Sequence, residues 1–128
     1  MQQIPSLYIT DSDLGGRGVF SSSPIPKGSI IEIAPVLVIP GAQRETLDQT
    51  IIHDYYFIWG EKDQQAALIL GNGSIYNHSF DPNAEYRPDF DGQTMSFFAL
   101  ENIEAGIEIT VNYNGNPEGK GKFWFHEG

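Results

Sequence analysis

Hydrophobic residues in this chain recur with period two or in brief apolar runs, and turn formers interrupt them every several positions. That pattern predicts short β-strands, because alternate residues of a strand face one side of a sheet. The predicted strands run from Leu7 to Thr10, Arg17 to Phe20, Ser29 to Ile33, Val36 to Ile39, Tyr55 to Trp59, Ala67 to Leu70, Ala84 to Arg87, Thr94 to Leu100 and Ile107 to Tyr113. Pro24-Ile25-Pro26-Lys27-Gly28, Pro40-Gly41, Asp91-Gly92 and Glu104-Ala105-Gly106 punctuate them. Asp91-Gly92 reads as a hairpin turn, since that pair tolerates positive φ. Only Gln43 to Ile52 invites a helix, with Leu47, Ile51 and Ile52 on one face. The expectation is a mainly β domain of short strands with one or two short helices.

Composition narrows this picture. A chain of 128 residues that is 40% hydrophobic makes one globular domain, large enough for a single modest core. Eight Phe, six Tyr and two Trp supply bulky fillers for it, and 14 Gly and eight Pro spread along the chain imply many tight turns. No apolar run is long enough to span a bilayer and no signal-peptide pattern opens the chain. A soluble, intracellular, cytoplasmic protein without membrane attachment is expected. Zero cysteines exclude disulfides and thiolate metal sites and agree with a reducing compartment. His53, His78 and His126 show no metal-ligand spacing, so no metal is expected.

Seventeen acidic residues against seven basic ones give a formal net charge of −10. Such a surface repels a phosphate backbone, so direct nucleic-acid binding is not expected. It attracts basic partners within a Debye length of ~8 Å, although acidity also serves solubility alone.

Three blocks carry candidate chemistry. Gly15-Gly16-Arg17-Gly18 leads into Val19-Phe20; close glycines let a backbone pass near a ligand, or simply turn between strands. It is no dinucleotide fingerprint, because no strand–loop–helix unit surrounds it. Tyr76-Asn77-His78-Ser79-Phe80-Asp81-Pro82-Asn83-Ala84-Glu85-Tyr86 gathers amide, imidazole, hydroxyl and phenol groups in a turn-rich stretch. A buried Asn there can as well tie down a turn through its backbone contacts. Glu108-Ile109-Thr110-Val111-Asn112-Tyr113 is strand-like and ends in a phenol, a position that a core-edge tyrosine also fills.

In this order, inside one small domain, the blocks resemble the SET-domain family of protein-lysine methyltransferases. The resemblance covers Leu7 to Tyr113 and implies a single SET domain over 1–128, with a core at about 7–113 and a closing segment at 114–128. It implies a SET β-clip of several small curved sheets around a knot-like crossing, and S-adenosyl-L-methionine as cofactor. It maps cofactor contacts to Gly16, Gly18, Asn77 and His78, the last two largely through backbone groups and the Asn amide. Arg17 either pairs with the cofactor carboxylate or faces solvent. Tyr113 becomes the catalytic tyrosine, and Tyr86 and Tyr55, the latter ahead of Tyr56, become walls of the lysine channel; an aromatic core cluster is the plainer alternative for these rings. Many members close the site with a cysteine-rich zinc segment. Here Phe123-Trp124-Phe125 is the available substitute, with Trp124 over the adenine or the channel mouth, docked on the core, or in a disordered tail. Asn112 departs from the usual acid before the tyrosine and removes a charge there.

The implied activity is methyl transfer from S-adenosylmethionine to a lysine ε-amine of a basic, Lys/Arg-rich protein. The alternative is an inactive β-clip module that binds such a partner. An acid–base enzyme built on Asp81 and Glu85 has no second motif behind it. The oligomeric state stays open, a homodimer included.

Overall fold

The computed structural model describes residues 2–60 and 65–113. Among the described residues, ten strands form two sheets: β1 (Gln2–Gln3), β2 (Leu7–Asp11), β3 (Arg17–Ser21), β4 (Ile30–Ile39), β5 (Phe57–Trp59), β6 (Gln65–Ile69), β7 (Asn77–His78), β8 (Ala84–Asp89), β9 (Thr94–Ala99) and β10 (Glu108–Val111). The larger sheet runs β5-β6-β4-β9-β8, with β1 added beside β4, and the smaller runs β2-β3-β10-β7.

Alternation explains the clearest elements. In β9, Met95, Phe97 and Ala99 turn inward while Thr94, Ser96 and Phe98 face outward. Strand β4 is longer than the pattern predicts, because the sequence suggests a break at Pro35 and the structure runs through it. Pro35 accepts from Leu70 N–H at 3.0 Å, so the side of the strand where its own N–H is missing faces that edge. There β1 has ended at Ile33 and β6 begins at Val36, so no ladder bond is lost.

The predicted helix is broken: a 3-10 turn at Gly41–Gln43, a four-residue helix α1 (Arg44–Leu47) and a second 3-10 turn at Ile51–Asp54. Too few apolar residues on its face are buried to hold a longer helix, Ile51 remaining 72% exposed. The turn consumes residues the pattern assigns to a strand, so β5 starts at Phe57 and Tyr55 closes the second 3-10 turn.

The β8–β9 hairpin turns at Phe90–Gln93. Positive φ falls on Gln93 (53°), not on Gly92. A Cβ at Gly92 would overlap Asp89 Oδ2, so the Asp89 carboxylate, which accepts from Gly92 N–H at 3.0 Å, would have to move aside.

The last described strand is the keystone. Antiparallel to β3 and parallel to β7, β10 lies between the early hairpin and the Asn77-His78 segment. This interleaving of early, middle and late chain is what the SET resemblance implies as a knot-like crossing. Ile109 and Val111 are fully buried and Thr110 nearly so, because β10 is covered on both faces. Asn83 locks it, donating to Glu108 O at 2.8 Å and accepting from Thr110 N–H at 2.9 Å. No helix among the described residues is long and apolar enough to cross a membrane.

Candidate active site

A cavity of about 330 Å³ opens beside the smaller sheet, lined in part by Leu14, Gly15, Gly16 and Arg17. Asp54, Tyr55, Ser74, Ile75, Asn77, His78 and Tyr113 complete it. The β2–β3 connection, the second 3-10 turn, β7 and the end of β10 thus meet at one place. Six of the residues singled out from the sequence, namely Gly16, Arg17, Asn77, His78, Tyr55 and Tyr113, are together here.

The two marked glycines are needed for different reasons. Gly16 has φ of 61° and open space where a Cβ would stand, so it supplies a left-handed turn and leaves the cavity clear. Gly18 sits in β3 beneath the cavity without lining it, and a Cβ there would overlap Glu108 Oε2 and lie 3.2 Å from Asn77 Nδ2. Only a bare backbone admits those groups.

Glu108 organises this floor. Its carboxylate accepts from Ser12 Oγ at 2.6 Å and from Asn77 Nδ2 at 2.8 Å, and Asn77 Nδ2 donates also to Arg17 O at 2.8 Å. Both amide hydrogens of Asn77 are thereby committed, and its Oδ1 remains as the acceptor, suited to an ammonium group. Residue typing alone gave Glu108 no role, although it opens the third block; only the fold brings it under Gly18.

His78 Nδ1 accepts from Tyr113 N–H at 3.0 Å. An accepting Nδ1 is the neutral tautomer protonated at Nε2. The ring packs beside Tyr113, with centroids 5.2 Å apart, and meets the exposed Phe80 edge-on at 4.5 Å. His78 therefore seats the tyrosine backbone.

The Tyr113 hydroxyl donates to Tyr76 O at 2.8 Å. Burial first, then the nearby Tyr55 and Glu108, push the Tyr113 phenol up to about 12, so it is a protonated hydrogen-bonding group at neutral pH. Tyr55 stands on the cavity wall, whereas Tyr56 turns away and donates to Asp48 Oδ1 at 2.7 Å. Tyr86 does not line the cavity: its hydroxyl donates to Tyr113 O at 2.7 Å, and Phe57 packs edge-on against both rings. It stands behind the catalytic candidate at this cavity. Trp124 and the rest of the aromatic tail lie outside the described residues. Beside Tyr86, Arg87 pairs with Glu85. Among the described residues no cluster of His, Asp or Glu is arranged to hold a metal ion.

Comparison with known proteins agrees with this geometry. The family model described as SET domain matches residues 16–114, and the chain belongs to the SET-domain family. It is 34% identical to a Schizosaccharomyces pombe histone-lysine N-methyltransferase specific for H3 lysine-37, over 94% of this chain and 78% of that protein. It is 34% identical to the chicken protein-lysine N-trimethyltransferase SMYD5, over 77% of this chain but only 24% of the relative. Among solved structures, a candidate histone methyltransferase of Plasmodium falciparum superposes with a TM-score of 0.68 at 33% identity, covering 91% of this chain and 97% of that one. These relatives support lysine methyl transfer in general, and nothing in them favours an inactive module.

Proposed function

We propose that the chain is an S-adenosylmethionine-dependent methyltransferase acting on the ε-amine of a lysine in a basic protein. The observation that carries this reading is one cavity lined together by the glycine turn, Asn77, Tyr55 and Tyr113, whose hydroxyl is held on the Tyr76 carbonyl.

The residues present fit the cofactor. Gly15 and Gly16 leave open space along one wall, Arg17 brings a cation to the rim, and Asn77 Oδ1 offers an acceptor to an amino group. When bound, S-adenosylmethionine supplies a methyl group on a sulfonium centre.

The chain's own work is positional and electrostatic. Only about one in 2,500 free lysines is neutral at pH 7, and only the neutral amine is a nucleophile. An aromatic wall of Tyr55 and Tyr113 removes water from the amine and lowers its pKa. The Tyr113 hydroxyl, held on the Tyr76 carbonyl, fixes the approach of the amine. Alignment of this kind supplies several kcal/mol of barrier lowering. Tyr113 stays protonated and takes no proton, so the proton of the methylated amine leaves to solvent.

A basic substrate agrees with the net charge of −10 and with relatives that act on histone H3. Calorimetry tests the reading: S-adenosylmethionine binds without added metal and raises the melting temperature. Absence of both heat and stabilisation at millimolar ligand would remove it.

A further inference from the structure

Among the described residues, Glu32 is the only charged side chain that is fully buried. A β-bulge between Ile30 and Glu32 breaks the alternation of β4 and buries Ile31 and Glu32 in succession. No ion pair among the described residues reaches it. Burying a carboxylate without a cation is costly, so its hydrogen bonds are what hold it there.

Those bonds converge on one piece of chain. Glu32 Oε1 accepts from the Tyr76 hydroxyl at 2.6 Å, and Oε2 accepts from Asn72 N–H at 2.9 Å and from Gln3 Nε2 at 2.7 Å. Asn72 and Tyr76 are the two ends of a single turn, closed internally by Ile75 N–H to Asn72 O at 2.9 Å. Ser74 and Ile75, inside that turn, line the cavity. The Tyr76 ring stacks on Phe97 at 4.4 Å, and its carbonyl carries the Tyr113 hydroxyl. Burial, then the Glu32 carboxylate, hold the Tyr76 phenol well above its ordinary pKa, so it remains a donor.

We propose that Glu32 is a positioning residue for methyl transfer: it staples both ends of the Asn72–Tyr76 turn and thereby aims the Tyr76 carbonyl at the Tyr113 hydroxyl. The Gln3 side chain of β1 completes the staple, donating to the same Oε2 that holds Asn72. This inference rests on the proposed methyltransferase reading.

The test measures methyl transfer from labelled S-adenosylmethionine to recombinant histone H3, with amide exchange followed across residues 72–77. Glu32→Gln keeps the side-chain size but turns an N–H towards groups that are themselves donors. It is expected to lower kcat by about 10- to 100-fold, since a small misplacement at a site costs that much. KM for H3 should move by less than about threefold. In a Tyr113→Phe background the same change should cost less than about twofold, because the hydroxyl being aimed is already gone. Gln3→Ala, at an exposed residue, should lower kcat in the same direction by less and without loss of fold. Exchange of the Asn72 amide should rise in both Glu32→Gln and Gln3→Ala. Full additivity with Tyr113→Phe, or a fall in melting temperature with unchanged kcat, would overturn the positioning role. If the unmodified chain leaves H3 unmarked, the methyltransferase reading fails on its own account. Amide exchange then decides the staple, which unchanged protection across residues 72–77 would refute.

Discussion

Replacing Gly18 by Ala is a demanding test of how the cavity floor is built. Gly18 lies in strand β3 without the positive φ of Gly16, so alanine suits its backbone and the whole effect is steric. The new Cβ would overlap Glu108 Oε2 and lie 2.8 Å from Glu108 Cδ and 3.2 Å from Asn77 Nδ2. Glu108 must swing away, and it then gives up its bonds from Ser12 Oγ and Asn77 Nδ2. Hydrogen bonds to a charged group contribute about 1.5–3 kcal/mol each, so partial recovery by water leaves a net cost of about 2–4 kcal/mol. That cost divides between folding and cofactor affinity, since Asn77 turns with its partner. Thermal melting and calorimetry with S-adenosylmethionine read the two parts. Gly16→Ala is the control: it meets no atom within 4 Å and should cost only about 1–2 kcal/mol of backbone strain, without moving Glu108. A Gly18→Ala protein with unchanged melting temperature and cofactor affinity would refute the argument.

Three further changes probe separate parts of the site. Tyr113→Phe should reduce methyl transfer by about 10²-fold while leaving cofactor affinity intact, since it removes one positioned polar group. Because the Tyr113 phenol is raised to about 12, its favourable protonated state is fully present below pH ~10 and is lost only as pH rises towards 12. Turnover between pH 7 and pH 9 should therefore show no step assignable to it in a comparison of unmodified and Tyr113→Phe pH profiles. Asn83→Ala removes both bonds that lock β10 and should lower stability by about 1–3 kcal/mol in denaturant titration. Tyr86→Phe frees the Tyr113 carbonyl and empties space behind the ring; mass spectrometry should find more highly methylated lysine than with the unmodified chain.

Strands were legible wherever one face is buried and the other is not. Residues 94–99 show the alternation openly, and the hairpin they form with residues 84–89 was predicted to within a residue or two. What escaped has no periodicity to read. Strands β1 and β7 are two residues each, held by partners far away in sequence. The sequence reads as two strands either side of Pro35, whereas β4 runs through and changes partner at that residue. The amphipathic spacing of Gln43 to Ile52 overstated a helix that has little core to pack on. The site was legible through residue types in order, and Gly16, Arg17, Asn77, His78, Tyr55 and Tyr113 do meet at one cavity. Tyr86, read as a channel wall, donates its hydroxyl to the Tyr113 carbonyl. Glu108 and Glu32 were out of reach, because a carboxylate in a strand looks like a solvent-facing residue until the fold shows its partners.

The most direct test of the central claim is mass spectrometry of histone H3 incubated with the purified chain and S-adenosylmethionine, with Tyr113→Phe run alongside. The account predicts methyl groups on lysine side chains of H3, dependent on the Tyr113 hydroxyl and diminishing as added salt screens the acidic surface. Unmodified H3 from a folded, cofactor-binding chain, or equal methylation by Tyr113→Phe, would contradict it.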